Sequence, residues 1–297
     1  MRLLTIFILL FAFGVTGFSQ KELREIKEAE LSFINIARSS GPKQAYLEFL
    51  LPDSVVFQPT AENGLAAWQK VENSATILER TQIFADAASN GSFGYTTGHW
   101  KSFERNKPDS TKFGQYVTIW QRSKTGKLKI ALDIVTTHEE FPVELLDKFR
   151  NSNRPSKDSN KKGWSAADAT MNFYRLGNNH NQLGGAYERY SDDKVRLLVD
   201  GDAPVYGKTD AVYKMSRYRS MEFPTKLAML EAADMAYVWN PCEFADSAEG
   251  KEKGNCLHIW KLRDKKWWIV MGVFASAREL PSTPSKLQNR SPQRKNR

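Results

Sequence analysis

A carboxylate interrupts an otherwise apolar, strand-like run at Asp133, within "KIALDIV" (129–135). Held among apolar neighbours, such a group is a usable general base near neutral pH. Neutral donors recur at period two nearby: Tyr95, Thr97 and His99 in one run, and Tyr116, Thr118 and Trp120 in another. Residues two apart share one face of a strand, so these sets would place one carboxylate and several hydrogen-bonding groups around one pocket. Asp133 and His99 are the catalytic candidates; Tyr95, Thr97, Tyr116, Thr118 and Trp120 are candidate pocket residues. Tyr237, His258 and Trp260 form a comparable set later in the chain. Each also has a packing explanation, because alternating Tyr and Trp pair across strands and a His between Leu257 and Ile259 suits a hydrogen-bonded core. Asp53, Asp200 and Asp202 stand beside turns, where a carboxylate commonly caps backbone N–H groups.

Other chemistries find little support. His99, His138, His180 and His258 form no i,i+4 pair, and Cys242 and Cys256 are fourteen apart, unlike paired zinc knuckles. No nucleophile elbow, dinucleotide fingerprint or phosphate loop occurs, so neither metal nor cofactor is expected. The net charge of +9 is concentrated in two segments, Lys148–Gly163 and Arg278–Arg297, each with six basic residues and one acid. The remainder is slightly acidic, which argues against a shaped nucleic-acid surface.

The elements that must position these residues come in two similar series. "FGQYVTIWQRSKTGKLKIALD" (113–133) and "KGNCLHIWKLRDKKWWIVMG" (253–272) each read as a strand ending in Ile-Trp, a charged turn and a second apolar strand. Before the first copy come a helix with Leu23, Ile26, Phe33 and Ala37 on one face, a shorter helix, a strand at 55–57 and a helix carrying Trp68. Strands are expected at 81–88, 93–103, 112–122 and 128–137, with Asn90-Gly91 read as a type I′ hairpin turn. The second series repeats the order, with a helix at 165–176 and strands at 195–199, 227–233, 235–244, 255–263 and 267–275. The chain therefore reads as a tandem duplication, with helices first and sheet after, an α+β order.

"GSFGYTTGHW" (91–100), the repeated hairpin and "VDGDAPVYGKTDA" (199–211) resemble the nuclear transport factor 2-like superfamily, closest to its SnoaL-like and ketosteroid-isomerase-like bacterial branch. The resemblance covers residues 22–140 and 164–277. It implies two cone-shaped, cystatin-like α+β domains, each with N-terminal helices on a curved antiparallel sheet and a pocket between them. It also implies pairing through the outer sheet face, and strands 255–263 and 267–275 are independently apolar on both faces. Such an internal pseudo-dimer would make the chain monomeric. Aligning the two series puts Cys242 and Cys256 where Trp100 and Tyr116 sit, on adjacent antiparallel strands, and so predicts a disulfide.

At the N-terminus, Arg2, an apolar run from Leu3 to Phe13 and small residues at Gly17 and Ser19 read as a signal peptide cut before Gln20. The organisation expected is thus a signal peptide (1–19), domain one (20–147), a basic flexible linker (148–163), domain two (164–277) and a disordered basic tail (278–297). The function expected is an exported (periplasmic or secreted) protein that binds a small, largely apolar molecule. An isomerase, lyase or cyclase using Asp133, and a scaffold with filled pockets, are the alternatives. No nucleic-acid partner is expected, nor a membrane anchor after cleavage.

Overall fold

Among the described residues, two similar series of helices and strands build two mixed sheets, each covered by three helices. The computed structural model describes residues 14–57, 59–72, 76–105, 107–142, 150, 163–246 and 250–277. The apolar run before Gly14, most of the basic linker and the basic tail lie outside them. In the first unit, α1 (Gly14–Ser40) and α2 (Pro42–Phe49) lead into β1 (Leu50–Phe57), β2 (Ala61–Asn63) and α3 (Gly64–Lys70). Four long strands follow: β3 (Thr76–Ala87), β4 (Phe93–Glu104), β5 (Lys107–Arg122) and β6 (Leu128–His138). The helix α1 continues unbroken across the expected cleavage point before Gln20. The sheet order is β2-β1-β6-β5-β4-β3, antiparallel except where β1 lies parallel to β6.

The second unit has α4 (Ala166–Gly177), α5 (Leu183–Tyr190), β7 (Ser191–Val199), β8 (Val205–Tyr206) and α6 (Lys208–Met215). After these come β9 (Tyr218–Glu222), β10 (Ala228–Ala232), β11 (Met235–Asp246), β12 (Gly250–Arg263) and β13 (Lys266–Ser276). The order β10-β11-β12-β13-β7-β8 matches the first sheet, again with one parallel pairing, β7 with β13. The strand expected at 227–233 is β10, and a further short strand, β9, also pairs with β11, separated from β10 by a segment containing Pro224. Proline has no N–H for the ladder and breaks the run there. Cys242 and Cys256 are bonded across β11 and β12, with Cα atoms 6.0 Å apart.

Local signals account for several boundaries. Asn63 caps α3 by accepting from Ala66 N at 2.9 Å, and Ser165 with Asp168 forms a capping box on α4. The Asn90-Gly91 turn is not type I′, because Gly91 alone takes positive φ. Ala88 N bonds Phe93 O, so the loop has four residues and its turn is closed by Gly91 N to Ala88 O. The two-residue I′ form occurs at Asp264-Lys265, where both φ values are positive.

The outer faces of the two sheets pack on each other. Phe84, Phe93, Tyr95, Val117, Ile119, Leu132 and Ile134 from the first meet Tyr237, Leu257, Ile259, Val270, Met271 and Val273 from the second in one buried cluster. Polar contacts fix the arrangement. Lys261 Nζ donates to Ala87 O at 2.8 Å and lies 3.2 Å from Asp234, which accepts from Ser89 N at 2.7 Å. The Arg196 guanidinium lies 3.5 Å from the ring centre of Phe84. Two bulges decide which side chains face which way. Pairing slips between Ile119 and Trp120 against β6, and between Ile259 and Trp260 against β13. Met271 and Val273, which strict alternation along β13 would put on one face with Trp267 and Ile269, turn to the sheet–sheet contact instead. The β6 slip lets Ile130 and Asp133, three apart, both point inward.

Candidate ligand-binding site

A cavity of about 210 Å³ opens into the first unit between its helices and the concave face of its sheet. Its walls are apolar, including Val56, Phe57, Leu78, Val135, Trp68 and Trp100. Its floor is polar, formed by Tyr46, Arg80 and Asp133. Arg80 on β3 is 2% exposed in its side chain and Asp133 on β6 5%, with Nη2 to Oδ2 at 2.9 Å. Nη1 reaches Oδ1 at 3.3 Å, so the pair is bidentate. Tyr46 on α2 donates to Oδ2 at 2.6 Å, and Thr118 on β5 donates to Oδ1 at 2.5 Å. Each Asp133 oxygen therefore accepts twice, which fills the roughly four acceptor positions of a carboxylate.

The cation is held by rings as well as by charge. The Arg80 guanidinium lies 4.4 Å from the ring centre of Tyr116, 4.9 Å from Phe33 and 5.5 Å from Tyr46. Burial alone would push Arg80 down, but the Asp133 carboxylate overrides it and the net shift is upward. Burial holds the Tyr46 hydroxyl well above its usual value, so it stays a neutral donor. Trp68 stacks on Tyr46 with ring centres 3.9 Å apart, closing the cavity from the α3 side.

Beneath this floor lies a second carboxyl. Glu30 on α1 is fully buried, accepting from Thr96 Oγ1 at 2.5 Å and Trp120 Nε1 at 3.2 Å. Burial raises its pKa, against the opposing pull of Arg80 and Thr96. Sequence reasoning missed both Glu30 and Arg80. Glu30 falls within the stripe Ile26, Phe33 and Ala37, so an acid centred on an apolar helix face was a readable signal. Arg80 alternates with Glu79 and Thr81 in a strand of mixed polarity, which gives no comparable cue.

Of the expected pocket residues, Tyr116, Thr118 and Trp120 do face into the first cone, around Arg80, Asp133 and Glu30. Tyr95 does not, because it belongs to the sheet–sheet cluster with Phe84. Thr97 and His99 follow it at period two on the same strand face. Thr97 donates to Tyr116 O at 2.7 Å, and the His99 ring lies among Phe113 and His138 at 6.2 and 6.3 Å. Burial, then His138, lowers the His99 pKa. His99 is thus not a partner of Asp133. Tyr237 is likewise an interface residue, edge-on to Phe93 at 5.4 Å. Among the described residues no three His, Cys, Asp or Glu side chains converge as metal ligands would.

His258 and Trp260 do face into the second cone, but rings fill it. Tyr174 stacks on Phe223 at 3.9 Å, and Phe173 meets Tyr187, His258 and Trp260 edge-on. Thr118 pairs with Asp133 in the first sheet; His258 pairs with Gly272 at the matching register of the second. A Cβ at Gly272 would come within 2.6 Å of Tyr187 Oη, so the tyrosine hydroxyl uses the space an acidic side chain would need. Tyr187 Oη and His258 Nε2 instead bond each other at 3.1 Å.

No protein-family profile matches the chain, and no curated protein is significantly similar to it. Among solved structures it is similar to a nuclear transport factor 2-like protein of unknown function from Pseudomonas putida KT2440. That match has 16% identity and a TM-score of 0.34, covering 40% of this chain and 88% of the other. It is also similar to nuclear transport factor 2-like proteins from Shewanella oneidensis MR-1 and Cytophaga hutchinsonii ATCC 33406. The first has 19% identity over 38% of this chain and 96% of that chain, with a TM-score of 0.31. The second has 16% identity over 38% and 99%, with a TM-score of 0.32.

Proposed function

We propose that the first unit binds a small, neutral, mostly apolar molecule in the cavity above Arg80 and Asp133, and that the second unit serves as its packed support. The observation that carries this reading is the cavity itself, with apolar walls and a floor whose charges are already paired. An anion there would compete with Asp133 for Arg80, whereas a neutral molecule leaves the pair intact. A cavity of about 150 Å³ accommodates benzene, so about ten heavy atoms is a reasonable upper size. Cyclohexanone is a suitable probe. Titration should raise the melting temperature saturably and change the fluorescence of Trp68 and Trp100. At one hundred times the dissociation constant the gain is about 2.7 kcal/mol. Val135→Trp should fill the cavity and abolish the response; equal binding by that variant would sink the proposal.

One observation favours a second reading, an isomerase-, lyase- or cyclase-type enzyme: Asp133 lines the cavity. To act as a base it must first lose one of its four donors, so binding is the better-supported function. We further propose export with cleavage before Gln20, a reading supported by the Cys242–Cys256 disulfide, since such bonds persist in oxidising compartments. N-terminal sequencing of the protein from fractionated cells should give Gln20 first; an intact Met1 in the cytosol would refute it.

A further inference from the structure

A separate polar pocket of about 160 Å³ lies in the second unit, where β7 begins beside the β12–β13 hairpin. Arg263 lines it while only 8% exposed. Its Nη1 donates to Asp192 Oδ2, yet Nε and Nη2 are buried with no hydrogen-bond partner among the described residues. Those two atoms form one edge of the guanidinium, whose parallel N–H bonds match two coplanar oxygens. Ser191, fully buried on the same lining, has a hydroxyl that is also without a partner among the described residues. A buried donor edge left unpaired is costly in a folded protein, so its persistence beside a pocket points to an acceptor that enters from outside.

We propose that this pocket binds a small monocarboxylate, with its two oxygens on Arg263 Nε and Nη2 and one of them also accepting from Ser191. Three observations narrow the class. The three lining carboxylates, Asp192, Asp193 and Asp264, balance Arg263, Lys194 and Lys208, so a single added negative charge is accommodated more readily than two. Lys208 opens α6 and brings the positive end of that helix to the rim, with its Nζ 3.6 Å from Asp193. Trp268, held by its Nε1–H to Arg263 O at 3.3 Å, supplies an aromatic wall for the rest of the molecule. The volume limits that remainder to a few carbon atoms. None of these residues belongs to the cavity of the first unit, so this site stands or falls independently of the function proposed above.

The indole N–H signal of Trp268 in a nitrogen-15 spectrum, assigned by Trp268→Phe, reports on the site in the intact chain. Titration with sodium acetate at constant ionic strength should move it saturably, while sodium chloride should not. Arg263→Lys keeps a cation but removes the two-toothed edge, and should weaken acetate binding at least tenfold. Ser191→Ala leaves the Arg263–Asp192 pair untouched and should weaken it several-fold, which keeps the test decisive if the arginine variant folds poorly. Non-saturating shifts shared by acetate and chloride would overturn the proposal. So would unchanged acetate binding in the Ser191→Ala protein, or tighter binding of inorganic phosphate than of acetate.

Discussion

Asp133→Ala should lower the unfolding free energy by about 3–5 kcal/mol, the usual cost of removing one partner from a buried ion pair. The geometry explains the size of the effect. Arg80 would keep its charge inside a shell of Phe33, Tyr46 and Tyr116, with no carboxylate left on its Nη1 and Nη2. Tyr46 and Thr118 would lose their acceptor at the same time. The double variant Arg80→Met, Asp133→Leu should recover most of the loss, because replacing both charges with apolar groups removes the desolvation penalty along with the attraction. Urea unfolding of the three proteins, with an unchanged slope against denaturant, would measure this. A loss below about 1 kcal/mol for the single variant would mean that the pair behaves as a solvated one. A double variant no better than the single would mean that the charges themselves, not their burial, hold the floor together.

The pair also shows what the amino-acid sequence discloses and what it conceals. Strands 255–263 and 267–275, apolar on both faces, announced a sheet buried on both sides, and Leu257 and Ile259 do meet the first sheet while Trp260 fills the second cone. Asp133, an acid in an apolar run, announced a polar group inside the first cone. On β4 the face that carries Tyr95 turns away from the pocket. The strand's inward residues include Gly94 and Thr96, and a Cβ at Gly94 would meet Asp86 O of β3 at 2.6 Å and Ile26 of α1 at 3.0 Å. Tyr95 and His99 alternate with these residues and with Trp100, and so lie on the other side. Strict alternation also failed at the two bulges, since a one-residue slip reverses every later side chain, and no residue type marks these two. Arg80 was silent because its partners lie 34 to 53 positions away, and only the closed sheet brings them together.

The two units therefore differ in how their cones are kept rigid, and the difference carries a pH signature. In the second cone the buried polar residue is neutral: His258 is fully buried, with Phe173, Phe223 and Phe274 ring centres 5.0, 5.9 and 5.6 Å away. Its Nε2 meets Tyr187 Oη, and its Nδ1 has no hydrogen-bond partner among the described residues. Burial pushes its pKa down to about 3. In the unfolded chain the same group titrates near ~6.5. The unfolded state thus takes up a proton as pH falls below that value and the folded state does not, so the stability this site contributes is present above ~6.5 and is lost progressively toward pH 3. Over the whole window the loss is about 5 kcal/mol, and about 3 kcal/mol of it should appear by pH 4. His258→Phe isolates the effect: at pH 7.5 it should cost about 1 kcal/mol through the lost Tyr187 hydrogen bond, but it has nothing to protonate. Glu30 works in the opposite sense, its raised pKa removing stability as pH climbs above the ordinary carboxylate range, and it is common to both proteins, so it cancels in the comparison. Urea unfolding at pH 7.5 and pH 4 should show the wild type losing about 3 kcal/mol more than His258→Phe. Equal losses would mean that the histidine ring reaches solvent and that the second cone is more open than its packing indicates.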